Sequence, residues 1–213
     1  MKIFIDFDDV LFNTKCFRKD IRDSFIKNGI SGKIFDKYYT DPKEYETGIR
    51  QKYNPERHID RIRKKFKINK KSIVSGIDGL LMKGEKYIFS DVLDFFENFR
   101  KNELYIISNG DSGFQKKKIE GSKIKKYFKA VKISDRPKSN RIRGMLTKKE
   151  KTYFLDDRVE YISEVKKAFP SVITILVKRK EGRYNDEKTK YCGYEVKNLK
   201  EALKIIKNEN GKK

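Results

Sequence analysis

The sequence predicts an α/β protein in which helices flank a Rossmann-like parallel β-sheet. Short apolar runs alternate with longer amphipathic stretches along much of the chain, which is typical of strands joined by helices. The apolar runs are nearly continuous, which indicates strands buried on both faces, as in a parallel sheet. A third observation is a long strand-free stretch after the first run, which predicts a helical insertion.

Six apolar runs are the predicted strands, five of them clear and the last one weaker. They are residues 2–5, 104–107, 130–133, 152–155, 172–177 and 194–196. Apolar residues at helical spacing predict helices in the core at 90–100, 158–169 and 198–206. Ser90 or Asp91 is placed to cap the first of these helices. We expect 178–193 to be a mobile polar loop and 208–213 a frayed tail.

The strand-free stretch predicts a helical cap inserted into the core. Its amphipathic helices are expected at 16–27, 55–66 and 72–82. The predicted domains are therefore a core of residues 1–13 and 89–213 and a cap of residues 14–88. An insertion at this point lies over the carboxyl ends of the strands, where α/β proteins bind ligands. His58, the single histidine, lies in a basic helix and is expected at the surface.

The chain of 213 residues carries a formal net charge of +22, which attracts polyanions. Nucleic acid, acidic membrane surfaces and phosphorylated metabolites all fit this charge. The lysines are spread over every segment, whereas nucleic-acid sites favour arginine, so we expect mainly a solvated basic surface. Nucleic acid is therefore an open partner but not the favoured one.

Cysteine usage and hydropathy predict a cytoplasmic protein. Cys16 and Cys192 lack the spacing of a metal site or a disulfide framework. The N-terminal apolar run is too short for a signal sequence and is broken at once by Asp6. No window approaches the roughly 18 apolar residues of a membrane span, so we expect no membrane partner. We expect a monomer because no long apolar stripe is left over.

Polar residues follow four of the predicted strands at their carboxyl ends. In chain order they are Asp6 and Asp8, Ser108 and Asn109, Lys138, and Asp156 and Asp157. The carboxyl ends of parallel strands share one edge of the sheet, so these side chains are expected in one crevice. Each group alone would more often be a structural turn or cap, and it is their combination that points to a site.

Carboxylates gathered in one crevice repel each other unless a cation joins them. Mg²⁺ suits a site of few carboxylates, water and phosphate. Lys138 can neutralise a phosphate, and the Ser108 hydroxyl and the backbone N–H groups near Gly110 can bind its oxygens at a helix N-terminus. This arrangement permits attack by a carboxylate on phosphorus, which gives an aspartyl-phosphate.

The order of these segments resembles the haloacid dehalogenase (HAD) superfamily, and the likeness covers nearly the whole chain. The matching segments are Asp6-Phe7-Asp8-Asp9-Val10-Leu11, Ser108-Asn109-Gly110, Pro137-Lys138 and Phe154-Leu155-Asp156-Asp157-Arg158. Each is weak alone, but all four in order at strand ends are specific. The stretch 14–88 resembles the helical C1 cap of subfamily I in that superfamily.

The resemblance implies a magnesium-dependent phosphomonoester hydrolase whose nucleophile, and one of whose metal ligands, is Asp6. It implies that Asp8 is the general acid and then the general base, with its backbone carbonyl on the metal. Asp157 corresponds to the metal-binding aspartate of the superfamily. Asp156 would be an additional or outer metal ligand.

The resemblance also implies the residues that bind the substrate phosphate. Ser108 and Asn109 would contact it, and Lys138 would hold the phosphate against the nucleophile. The segment after Lys138 is short and very basic, so Lys148 and Lys149 are alternatives for this role.

The carboxylate of Asp8 decides the expected reaction, because superfamily members that lack it are dehalogenases and phosphonatases. We expect a phosphatase acting on a small phosphorylated metabolite. A nucleic-acid end-processing phosphatase, a nucleic-acid-binding protein on this scaffold and a phosphomutase are the alternatives. Asp9 departs from the glycine common at that position and adds a negative charge near the site.

Overall fold

Six parallel strands form a single sheet flanked by helices. They are β1 (Lys2–Ile5), β2 (Leu104–Asn109), β3 (Ala130–Ser134), β4 (Thr152–Asp156), β5 (Ile173–Val177) and β6 (Tyr194–Val196). The computed structural model describes residues 1–40, 52–147 and 150–211, and its strand order is β3-β2-β1-β4-β5-β6. The predicted fold class and all six predicted strands are confirmed.

Strand β1 lies at the centre of the sheet and sets the position of the predicted crevice. Its last residue, Ile5, is level with Ile106 of β2 and Leu155 of β4. The residues just beyond that level, Asp6 and Asp156 among them, therefore emerge side by side at one edge. This register explains why residues far apart in sequence meet.

The described core contains the three predicted helices, with different ends, and two helices that the sequence did not predict. They are α5 (Val92–Phe96), α6 (Ser112–Gly121), α7 (Lys138–Ile142), α8 (Val159–Ala168) and α9 (Leu199–Gly211). The two helices that were not predicted are α6 and α7. Asp91 stands at the N-cap position of α5, as the sequence suggested, but its side chain does not cap the helix. Its carboxylate instead pairs with Arg179 at 2.9 Å and accepts the Leu199 N–H at 2.7 Å. The frayed tail was also wrong as far as the described residues extend, since α9 continues to Gly211 and Asn210 accepts a hydrogen bond from Tyr153.

Helices make up most of the described part of the predicted insertion, and a polar residue caps the start of each. They are α1 (Thr14–Lys27), α2 (Gly32–Tyr38), α3 (Pro55–Arg63) and α4 (Lys70–Met82). Asn13, Asn54 and Asn69 each accept a backbone N–H from the first turn, which satisfies a donor that the helix itself leaves unpaired. The three predicted helices are confirmed, and α2 is an addition.

The insertion shares its apolar core with the sheet. Stacked and edge-on rings lead from Phe7 after β1 through Phe12 to Phe17 of α1, with ring centroids 4.9 and 5.3 Å apart. His58 lies in the same core with 0% exposure, so its predicted surface position is wrong. The boundaries 14–88 and 89–213 stay a prediction. Among the described helices, none offers the long apolar stretch that a membrane span requires.

Candidate active site

A tight turn after β1 presents two carboxylates to the same side. Side chains alternate in extended backbone, so Phe7 points into the core with 0% exposure while Asp6 and Asp8 point to the edge. Asp9 then turns the chain with φ 56°, and its N–H donates to the Phe12 carbonyl at 2.8 Å. Aspartate is among the residues that tolerate this left-handed conformation, which glycine adopts without strain.

The first group at this edge is an acidic cluster of Asp6, Asp156 and Asp157. Each offers a carboxylate oxygen, and these oxygens lie within 4.8 Å of one another. The buried Lys138 ammonium donates to Asp6 Oδ1 at 2.7 Å and to Asp156 Oδ2 at 2.6 Å. Lys138 thus lies between two of the aspartates with which the sequence grouped it. Lys148 and Lys149, the alternatives, lie outside the described residues.

Three buried carboxylates lie near one ammonium, and the pKa values of all three are raised. Burial raises the pKa of Asp6, although the charge of Lys138 opposes it. Burial likewise raises the pKa of Asp156 to about 7 against the pull of Lys138. The pKa of Asp157 lies well above its usual range because of burial and the charges of Asp156 and Asp6. The cluster therefore has more negative charge than the protein neutralises.

The donor set of the acidic cluster fits a hard divalent cation. Asp157 Oδ2 is buried and has no hydrogen-bond partner among the described residues. Asp156 uses its other oxygen, Oδ1, to accept the Arg158 N–H at 2.9 Å. Oxygen ligands of this kind are those that Mg²⁺ prefers. Asp6 and Asp157 line the cavity, whereas Asp156 lies behind them with 0% exposure.

The second group is an ion-paired cluster of Asp8, Asp9, Lys118 and Arg183. Lys118, from α6, contacts Asp8 Oδ1 directly, and Arg183 donates to Asp9 Oδ2 at 2.5 Å. Burial raises the pKa of Asp8, but the charges of Lys118 and Arg183 outweigh this and lower it to about 2. Burial raises the pKa of Asp9, opposed by Arg183. Here each carboxylate has its own cation.

Neutral donors complete the surroundings of Asp8. Thr14 donates its hydroxyl to Asp8 Oδ1 and Gln115 donates its amide to Asp8 Oδ2, each at 2.7 Å. The amide of Gln115 also donates to the Ser108 Oγ at 2.8 Å. Asp8 therefore has a fixed orientation before any substrate binds.

The Ser108–Asn109 segment lies at the end of β2, where the sequence predicted it. Ser108 is 1% exposed and lies behind Asn109 and Gly110, which line the cavity. The Gly110 N–H donates to the Ser134 carbonyl at 3.4 Å, so the structure already uses this predicted phosphate donor. The Asn109 amide donates to Tyr161 at 3.3 Å, while its Oδ1 is buried without a partner in the described chain.

The two clusters open into one cavity of about 1020 Å³. Its walls come from the sheet edge, from helix α1 and the neighbouring residues of the insertion, and from the segment after β5. That segment was expected to be only a polar surface loop, yet Arg179 is buried and donates to the Val10 carbonyl at 2.8 Å. This anchor brings Arg183 and Tyr184 to the cavity.

Sequence reasoning missed four residues that hold the site. Gln115 and Lys118 are spaced i, i+3 on α6, so they share one helix face, and this face is buried with Ile119. Two long polar residues on such a face are a signal that could have revealed them. Thr14 directly follows the turn, as a first-turn residue of α1. Arg183 carries no comparable signal, because an arginine in a charged loop is ordinary.

Solved structures with the same fold belong to HAD-like proteins. A candidate haloacid dehalogenase-like hydrolase from Burkholderia xenovorans is 14% identical with a TM-score of 0.74, over 97% of this chain and 96% of its own. YfnB from Bacillus subtilis, a candidate HAD hydrolase bound to magnesium, is 16% identical with a TM-score of 0.64, over 96% and 97%. A candidate phosphatase from Clostridium difficile is 19% identical with a TM-score of 0.59, over 96% and 97%.

These likenesses establish the fold as HAD-like. They confirm the resemblance drawn from the four segments at the level of the fold. Neither a family model nor a curated protein matches the chain by sequence. The similar structures also include an L-2-haloacid dehalogenase from Xanthobacter autotrophicus, so the fold is shared by proteins with different reactions.

Proposed function

We propose that this chain is a HAD-superfamily phosphatase that hydrolyses phosphate monoesters of small metabolites with Mg²⁺ and an aspartyl-phosphate on Asp6. The observation that carries the proposal is the pairing of the two clusters around one cavity. Asp6 lies in the acidic cluster, where one ammonium faces three carboxylates. Asp8 lies beside it, with its orientation fixed by three hydrogen-bond donors, namely Thr14, Gln115 and Lys118.

The acidic cluster would hold the metal. Asp6 and Asp157 would bind it through carboxylate oxygens, with the Asp8 backbone carbonyl as a third ligand and Asp156 as an outer one. When bound, Mg²⁺ would withdraw charge from the phosphoryl oxygens and so favour attack on phosphorus. The orphaned Asp157 Oδ2 supports this assignment, because a buried carboxylate oxygen without a partner is costly.

Asp6 would attack phosphorus with a carboxylate oxygen, and the bond to the leaving-group oxygen would break. Lys138, 2.7 Å from Asp6, would neutralise the charge that nucleophile and phosphate bring together. Asn109 is at the cavity surface with its amide beside Tyr161, where it could orient the phosphate. Water would then cleave the aspartyl-phosphate and release inorganic phosphate.

Asp8 suits one half of its proposed role better than the other. Its lowered pKa of about 2 keeps it ionised, so it is in the form that can accept a proton from the hydrolytic water. The acid half requires that Asp8 first gain a proton for the leaving oxygen. The Lys118 ammonium in contact with Asp8 stabilises its ionised form and therefore opposes this step.

The reaction class rests on Asp8 rather than on the fold. A carboxylate two residues after the nucleophile gives a leaving oxygen its proton partner, which a halide leaving group does not need. This observation favours a phosphatase over a dehalogenase. A phosphomutase would use the same residues, and transfer of phosphate to a second sugar hydroxyl would distinguish it.

The test is release of phosphate from p-nitrophenyl phosphate with and without Mg²⁺. We expect Mg²⁺-dependent turnover in the wild type and none in Asp6→Asn. Asp78→Asn is the matched control, since Asp78 is 49% exposed and pairs with Lys117 on the outer surface. Full activity in Asp6→Asn would reject the mechanism.

The charge of +22 favours one second candidate, a phosphatase or binding protein for nucleic acid. Binding through backbone phosphates would weaken steeply with salt, because counterions are released. An affinity for oligonucleotides that is absent near physiological ionic strength would reject this candidate.

A further inference from the structure

We propose that the site is built for phosphate esters whose leaving group carries a flat aromatic base, that is, for nucleotides or nucleotide ends. This inference rests on the proposed phosphatase function and names its substrate class. It comes from two walls of the cavity, each of which pairs guanidinium groups with aromatic rings.

The first wall belongs to the insertion. The Arg18 guanidinium lies 4.1 Å from the ring centroid of Tyr39, and Tyr39 stacks on Tyr53 at 4.4 Å with an angle of 10° between the rings. Arg61 fixes this stack, since it donates to the Tyr39 carbonyl at 2.7 Å. Arg18, Tyr39 and Tyr53 all line the cavity.

The second wall belongs to the core. The Arg158 guanidinium lies 3.8 Å from the ring centroid of Tyr184, and that of Arg183 lies 5.2 Å from it. The ion pair of Arg183 with the buried Asp9 and the buried Arg179–Asp91 pair hold this segment in place. Arg158, Arg183 and Tyr184 all line the cavity.

The two walls suit a base better than a sugar. A base presents a flat π-face, which stacks on guanidinium planes and aromatic rings, whereas a sugar phosphate presents none. Ion pairs with Asp36, Glu160 and Asp9 hold the guanidinium planes of Arg18, Arg158 and Arg183 in place, so these planes are pre-positioned for stacking. The cavity of about 1020 Å³ is at the upper end of the range for ligand pockets, which is more than a small sugar phosphate requires.

Guanidinium–ring pairs also occur as ordinary packing, so the test must measure specificity rather than activity alone. We would measure kcat/KM with Mg²⁺ for AMP, for a 5′-phosphorylated oligonucleotide and for glycerol phosphate, which has no ring. The wild type is expected to prefer AMP or the oligonucleotide to glycerol phosphate at least tenfold. The better of the two ring-bearing substrates identifies the source of the base.

Two variants and their matched controls test the walls separately. Tyr184→Leu is expected to lower the preference for AMP over glycerol phosphate roughly tenfold, the scale of one base stack. Tyr191→Leu, in the same segment but outside the cavity lining, should leave the preference unchanged. Arg18→Met should lower it, while Arg22→Met should not, although both arginines pair with Asp36.

A binding measurement separates failure of this inference from failure of the phosphatase function. Calorimetry with Asp6→Asn and AMP should show binding that Tyr184→Leu weakens roughly tenfold, whether or not the wild type turns AMP over. Hydrolysis that prefers neither AMP nor the oligonucleotide to glycerol phosphate, or a preference that Tyr184→Leu and Arg18→Met leave unchanged, would overturn the substrate class and leave the phosphatase intact. Binding of AMP without hydrolysis of any ester would overturn the phosphatase function and leave the inferred ligand class intact.

Discussion

The acidic cluster and the ion-paired cluster lie at the same edge of one sheet but differ in how their charge is balanced. In the first, the Lys138 ammonium contacts Asp6 and Asp156, while Asp157 lies beside them with its Oδ2 unpartnered among the described residues. In the second, Asp8 and Asp9 each have a cation of their own, Lys118 and Arg183. The acidic cluster therefore has one ammonium for three carboxylates, whereas the ion-paired cluster has one cation for each carboxylate.

The pKa values follow the same division. Burial raises the pKa of every carboxylate in the acidic cluster, because one ammonium cannot offset three buried charges. In the ion-paired cluster the cations lower the pKa of Asp8 to about 2 despite its burial. The two clusters therefore suit different roles. The acidic cluster suits a metal ion, and the ion-paired cluster holds a pre-oriented carboxylate, that of Asp8.

The largest expected effect comes from removing the shared ammonium. Lys138→Met leaves the acidic cluster without its cation, so we expect a loss of about 3–5 kcal/mol in the free energy of unfolding. Phosphatase activity should fall by roughly 100-fold or more. Urea unfolding at about pH 7.5 in EDTA measures the stability. Mg²⁺ should restore part of it, because the metal supplies the missing positive charge.

Lys117→Met is the matched control. It also removes a lysine that pairs with an aspartate, Asp78, but this pair is at the surface and Lys117 is 58% exposed. Its stability should match that of the wild type in both conditions. If Lys138→Met were as stable as this control, the acidic cluster would not depend on its ammonium.

The next effect concerns the metal itself. At 100 times its dissociation constant, Mg²⁺ should raise the free energy of unfolding of the wild type by about 2.7 kcal/mol. Asp157→Asn should abolish this stabilisation by Mg²⁺. In EDTA the variant should be more stable than the wild type, because it removes a buried carboxyl group whose ionised form is disfavoured, as its raised pKa shows. Thermal unfolding with and without Mg²⁺ measures both.

Asp8→Asn provides the contrast from the ion-paired cluster. It should destabilise the protein in EDTA, since it leaves the buried Lys118 without its carboxylate. The same sign of change for Asp157→Asn and Asp8→Asn in EDTA would contradict the division between the clusters.

A smaller effect on stability comes from the Asp9–Arg183 ion pair, and a double-mutant cycle separates it from the backbone strain at Asp9. Arg183→Met leaves the buried Asp9 charge unpaired, whereas Asp9→Gly removes that charge and suits the positive φ of 56°. We expect the double variant to be about as stable as Asp9→Gly alone, with a coupling energy of about 2 kcal/mol. Urea unfolding of the four proteins measures it, and purely additive losses would show that the ion pair contributes nothing.

The parts of this architecture that local patterns determine could be predicted from the sequence. Continuous apolar runs such as 104–107 depend only on burial of both strand faces, and the order of strand-end residues places Asp6, Lys138 and Asp157 at one edge. The ion-paired cluster could not be predicted in this way. Lys118 and Arg183 reach it from sequence distances of 110 and 174 residues, and both are ordinary among so many basic residues.

The expected side-chain cap of α5 and the expected position of His58 failed for a related reason. Asp91 fits a helix cap locally, but a long-range pair with Arg179 uses its carboxylate instead. His58 lies in a helix rich in charged residues, which suggested a surface position. Its face of α3 packs against Phe25 and Phe35, with ring centroids 4.9 and 4.6 Å away. Tertiary contacts decided both cases, and no local pattern records them.

The smallest effect uses pH, to which His58 and the acidic cluster respond in opposite directions. Burial and the charge of Arg61 lower the pKa of His58 from 6.5 to about 4. As pH falls below 6.5, the unfolded chain gains a proton that the folded chain does not accept until about pH 4, so His58 makes the protein less stable in this window. Asp156, with its pKa raised to about 7, accepts its proton first in the folded chain and makes the protein more stable on acidification.

Replacing His58 isolates its contribution from that of the carboxylates. Between about pH 7.5 and 5.5, in EDTA, the wild type should lose about 1 kcal/mol more stability than His58→Gln, because glutamine does not titrate. The Asp156 contribution is common to both proteins and cancels in the difference. Urea unfolding of both at the two pH values measures it. Identical pH dependence would mean that His58 accepts a proton as readily in the folded chain as in the unfolded one, despite its burial and the nearby charge of Arg61.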